Sequence, residues 1–164
     1  MAQSDQDRRR REQLEDLLKR NYETVYEYQK HVDSHPDLNQ RRYYQQEIND
    51  RLLPRIRSDE IKYAHLLVGT DISEETAADL VQEISHAADS LQGSVPAGSP
   101  ERKAIDDLKA ELSKPGNPSA KLKLNLPIIP LIASYEITFE TAGLMGIAWK
   151  RVKDTFSDPH QPRH

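Results

Sequence analysis

Cysteine is absent from the 164 residues. That excludes disulfides, iron–sulfur clusters, thiolate zinc sites and a thiol nucleophile. Glycine is scarce, at six residues, and neither GxxxxGK[ST] nor GxGxxG occurs, so nothing suggests a phosphate-cradling loop. No apolar run approaches the roughly 20 residues that a membrane span needs. Apolar residues make up 36% of the chain, below the roughly 45–50% of an average globular protein. Mean hydropathy is −0.82. A thick, multilayered core of the Rossmann or barrel kind is therefore not expected, and the length favours one domain or two small ones. The opening residues MAQSDQDRRRRE are polar and show no signal-peptide pattern, so a cytoplasmic protein is expected.

Charge is plentiful but unevenly placed. Residues 1–68 carry 13 basic and 13 acidic side chains, 69–118 carry 4 and 10, and 119–164 carry 6 and 4. A nucleic-acid binder shows a basic stripe with few interleaved acids. The single basic run, residues 8–11, is flanked by Asp5, Asp7, Glu12, Glu15 and Asp16 and reads as a solvated helix start. No nucleic-acid partner is expected.

Helical periodicity dominates the first two thirds. Across 7–34, Leu14, Leu18, Asn21, Val25, Tyr28 and Val32 recur at alternating steps of four and three, a coiled-coil-like seam. Asn21 either fixes register within that seam or sits solvated at its edge. Pro36 breaks the helix. A second helix follows over 38–53, with Tyr44, Ile48 and Leu52 as its stripe, and the short connection predicts an antiparallel hairpin. Pro54 predicts a kink with helical continuation to Gly69. Asp71 with Glu74 resembles a capping box for a third helix striped by Ala77, Leu80, Val81, Ile84, Ala87, Ala88 and Leu91. Ser99-Pro100 starts a fourth, over 100–113.

After residue 119 the pattern reads as alternation. Leu122, Leu124 and Leu126 alternate with polar residues, and Tyr135, Ile137 and Phe139 alternate with Glu136, Thr138 and Glu140, predicting two strands. A helix over 141–156 closes a ββα unit. The expected fold class is mainly α with a small β part: antiparallel helical hairpins followed by that two-stranded unit. The expected divisions are a long hairpin (1–69), an acidic helix pair (70–118), the ββα unit (119–157) and a disordered tail (158–164).

No catalytic constellation emerges, so no catalytic, cofactor or metal residue is assigned and a non-enzymatic protein is expected. His31 and His35 have the i, i+4 spacing of a helical metal pair, with Asp33 and Asp37 as further oxygens. They lack the HExxH glutamate, and a surface pair at a helix end is the plainer reading. Ser134 has no glycine-flanked elbow, and Glu136 and Glu140 share what would be a wet strand face. Two alternatives stay in view. One is a membrane-peripheral protein anchored through 141–156, where Leu144, Met145, Ile147 and Trp149 adjoin Lys150, Arg151 and Lys153. The other is a metal-dependent enzyme around His31 and His35.

Tyrosine is the unusual residue, six of the seven lying before residue 64. Half-buried tyrosines along a hairpin can be core spacers, or they can form an interface, since the ring offers large contact area for few frozen torsions. Tyr22, Tyr26, Tyr28, Tyr43 and Tyr44 are the candidate partner-binding residues.

Two stretches carry a resemblance. YETVYEYQKHVDSHPDLNQRRYYQQEINDRL resembles the short helical hairpins of effector-associated, death-like adaptor modules in bacterial STAND-type conflict systems. LKLNLPIIPLIASYEITFETAGLMGIAWKRVKDTF is similar to a compact C-terminal segment from the same setting, through Ile129-Pro130, Tyr135-Glu136 and Trp149. The resemblance implies a non-enzymatic adaptor that pairs with like domains and recruits an effector. The tyrosine surface leaves self-association open as well, and no cofactor is expected.

Overall fold

The computed structural model describes residues 5–139 and 143–157, the side chains of 137–139 excepted. Every regular element among them is helical: α1 (Asp5–Ser34), α2 (Leu38–Glu47), a π turn (Ile48–Leu52), α3 (Leu53–Leu67), α4 (Glu74–Gln92), α5 (Pro100–Ser113), α6 (Pro118–Asn125), α7 (Ile128–Phe139) and α8 (Leu144–Ser157). The described residues divide into two compact units, one up to Tyr63 and one from Ala64 onward, and the division falls inside α3.

The first unit is the hairpin. Its seam follows the four-three spacing: Leu14 and Leu18 are buried, and Val25, Tyr28 and Val32 pack on Ile48, Leu52 and Leu53. Fully burying side chains of this size stabilises by about 1.5–3 kcal/mol each. Asn21 is half-buried, and its Nδ2 is shielded with no acceptor among the described residues. The reversal at 35–37 follows from Pro36, and Asp37 caps α2 by accepting the Asn39 amide at 2.8 Å. At the expected kink the helical path continues, but through the π turn, where the Leu53 amide donates to the Ile48 carbonyl five residues back. Pro54 has no amide proton, and its ring would crowd the carbonyl four residues earlier, so a widened turn there relieves the clash.

In the second unit α4 packs on α5, α6 and α8, and α7 packs on α5 and α8. The central position of α4 follows from its composition: Ala77, Ala87 and Ala88 let neighbours approach, while Leu80, Ile84 and Leu91 fill between them. Ser73, rather than Asp71, caps α4, accepting the Thr76 amide at 3.2 Å. Glu74 instead accepts from the Ser119 hydroxyl (2.6 Å) and amide (3.2 Å). Ser99 caps α5 through the Arg102 amide at 3.1 Å, with Pro100 at the first helical position and Gly98 at φ 83° in the preceding loop.

The two expected strands, and with them the ββα unit and the small β part of the fold class, are corrected. Residues 122–126 and 135–139 lie in α6 and α7 or at their ends, and the described residues hold no strand. Leu122, Leu126, Ile129 and Ile132 are buried at helical steps, whereas Leu124, which alternation would bury beside them, is 74% exposed. Over so short a run the two periods coincide. The prolines decide between them. Pro118 opens α6 behind the Asn117 cap, and Pro130 sits in the first turn of α7, where an amide proton is not needed. The helix expected over 141–156 is α8; residues 140–142 and the expected tail 158–164 lie outside the described residues.

Candidate functional site

The hairpin reversal brings together rings that are distant in sequence. Tyr28 and Tyr44 both lie eight positions from Pro36, so an antiparallel return places them opposite each other. Their ring centroids are 5.0 Å apart at 64°, an edge-to-face pair. His31 stacks on Tyr44, at 4.5 Å and 17°, and Tyr43 and Tyr44 form a second edge-to-face pair at 5.4 Å and 70°. His35 completes the group, 6.1 Å from His31 and 6.4 Å from Tyr44. Five rings thus gather where α1 passes to α2. Each edge-to-face contact adds about 0.5–1.5 kcal/mol beyond area burial.

The expected tyrosines divide accordingly. Tyr28 and Tyr44 are half-buried and fixed by their neighbours, while Tyr43 is 51% exposed. Leu38, at the start of α2, is 52% exposed. Tyr22 and Tyr26 lie on the preceding turns of α1 and do not join the ring group. Tyr26 is 64% exposed with the Lys30 ammonium 4.4 Å above its ring. Tyr22 turns its hydroxyl inward, donating to the buried Glu60 carboxylate at 3.2 Å. Burial, then the Glu60 charge and hydrogen bond, hold that phenol well above the ordinary tyrosine range. Tyr22 therefore has a structural task within the hairpin.

Sequence reasoning set His31 and His35 aside as a surface pair and missed their place beside Tyr44. The metal alternative is not supported by the arrangement. The His35 Nδ1 accepts the Asp37 amide proton at 3.0 Å, which places the proton of the neutral ring on Nε2. Coordination through Nε2 would require the opposite tautomer and a broken turn. Asp33 accepts from Gln29 at 3.0 Å, and Asp37 is occupied in its cap. Among the described residues no three His, Cys, Asp or Glu side chains form a candidate metal group.

The residues weighed for hydrolysis are absorbed by the helices. The Ser134 hydroxyl donates back to the Leu131 carbonyl at 2.6 Å. Glu136 is 5% exposed, contrary to the wet strand face expected for it. Its carboxylate accepts the Met145 amide at 2.9 Å and the Gly146 amide at 2.6 Å, capping α8 from α7. Negative charge at a helix N-terminus is favourable, and both amides lack partners within their own helix. Glu140 lies outside the described residues.

The surface expected to touch a membrane is largely turned inward. Met145, Trp149, Val152 and Phe156 are buried, and of the apolar residues named for that role Ile147 is 56% exposed. No described helix is long and apolar enough to cross a membrane. Compared with protein-family models, curated proteins and solved structures, the chain matches none.

Proposed function

We propose that the chain is a non-enzymatic protein–protein interaction module, acting in the cytoplasm, whose partner surface is the tip of the α1–α2 hairpin. The observation that carries this reading is the exposure of Tyr43 and Leu38 beside rings already locked in place. Clamped rings lose little side-chain freedom on association, so their contact area converts efficiently into affinity. The engagement of Ser134 and Glu136 in helix bonds further favours binding over catalysis. The resemblance of the hairpin to effector-associated modules directs the proposal toward a like domain, a second copy included, in a bacterial conflict or signalling system. Adaptor pairing of that kind needs no cofactor.

Light scattering coupled to size-exclusion chromatography, run over a concentration series, tests self-association. The double substitution Tyr26→Ser and Tyr43→Ser removes exposed rings without touching the seam. It should weaken association by roughly tenfold or more while far-ultraviolet helicity stays constant. A strict monomer at high concentration that also captures no like domain overturns the reading.

A further inference from the structure

We propose that the hairpin tip is a proton-sensitive latch operated by His35. The ring Nδ1 is the acceptor for the Asp37 amide, and Asp37 is itself the cap of α2. One imidazole nitrogen therefore ties the end of α1 to the start of α2. Imidazole is the side chain that takes up a proton between about pH 5 and 8. A proton arriving at Nδ1 replaces the acceptor lone pair with a second N–H pointed at the Asp37 amide. That hydrogen bond cannot survive in the charged state.

The groups facing His35 are His31 on α1, Asp37 in the same turn and Tyr44 on α2. Arg41, also on α2, is tied to the same turn by its amide, which donates to the Asp37 carbonyl at 3.0 Å. The Asp37 carboxylate is committed to the Asn39 amide, and the His31 ring lies 6.1 Å from that of His35. The latch is closed when His35 is neutral and opens as pH falls, because a ring protonated at Nδ1 has no lone pair there for the Asp37 amide. Opening loosens the first turn of α2 and with it the setting of Tyr43 and Tyr44. The consequence for a partner rests on the interaction reading above, whereas the opening of the turn does not.

Amide hydrogen exchange of the full chain, resolved by NMR between about pH 7.5 and 5.5, tests the latch directly. The protection factors of Asp37 and Asn39 should fall about tenfold as the His35 ring protons report its titration. His35→Asn keeps an acceptor where Nδ1 stands but cannot titrate, so its protection should stay level across the range. His31→Gln should leave the fall intact. Constant protection in the wild type while His35 titrates would overturn the latch, as would an undiminished fall in His35→Asn. Either result is independent of whether the protein associates.

Discussion

The phenol of Tyr63 donates to the Glu15 carboxylate at 2.6 Å, joining the return helix to α1 across 48 positions of sequence. Tyr63 is 1% exposed, whereas Glu15 is exposed and can be rehydrated. Tyr63→Phe keeps the ring and should lower stability by about 1–2 kcal/mol. Glu15→Gln retains an acceptor and should cost less. Urea midpoints at constant slope provide the comparison, and a neutral Tyr63→Phe would remove this bond from the account of hairpin stability.

The Tyr22 phenol should ionise above the ordinary tyrosine range. Its folded value is raised by burial first, then by the Glu60 charge and hydrogen bond. The sign follows from linkage: a raised folded value means a contribution complete below about pH 10 and lost as pH rises through the folded value. Ultraviolet titration near the phenolate band should show a late tyrosine that disappears in Tyr22→Phe. A single ordinary tyrosine step in both proteins would contradict the inward-facing hydroxyl.

Glu136 should behave as a cap. Glu136→Ala strands the Met145 and Gly146 amides at the start of α8 and should cost roughly 2–4 kcal/mol. Glu136→Gln, which still accepts one of them, should fall between. Gly146 offers a control of opposite sign: a Cβ there would meet the Glu136 Oε1 at 3.6 Å, an ordinary contact. Gly146→Ala should therefore stabilise by about 0.5–1 kcal/mol. Thermal or urea unfolding of all three variants checks the set, and a neutral Glu136→Ala would contradict the capping role.

The Glu74 carboxyl is held below the ordinary glutamate range, chiefly by the Ser119 hydroxyl. A depressed folded value means that its contribution is full above the ordinary range and lost as pH falls through the lower, folded value. Carbon-detected NMR titration should show the depressed midpoint, and Ser119→Ala should return it upward. An unmoved midpoint would exclude Ser119 as the cause.

How much of this was legible depended on whether sequence signals were redundant. Over 74–92 and 100–113 a polar cap, an acidic first turn and a single apolar stripe agree, and the helices form there. Across 122–139 only the stripe is available, and over so short a run it fits either period. Pro130 sits in the first turn of α7, the one place in a helix where a missing amide proton costs nothing. At the tip, tyrosine enrichment was plain, and the Tyr28–Tyr44 pairing follows from equal distance to Pro36. The His31 stack does not follow, because it depends on the angle at which α2 leaves the turn. Glu136 was misplaced for a related reason: in a strand it would alternate to the outside, whereas in a helix it lies on the stripe of Ile129 and Ile132.

The π turn at Ile48–Leu52 has a consequence for the numbering of everything after it. An α-helix advances each side chain by about 100° around its axis, and a π turn accommodates about one residue more than an α turn. The segment from Leu53 onward is thus rotated by about a quarter of a revolution against the phase that α2 would have dictated. Glu60 and Tyr63 meet Tyr22 and Glu15 in that rotated phase. Deleting one exposed residue of the turn, Asn49 or Asp50, would restore an ordinary helix and swing both contacts away together. Within this hairpin, one residue of length acts as the tuning interval between its two helices.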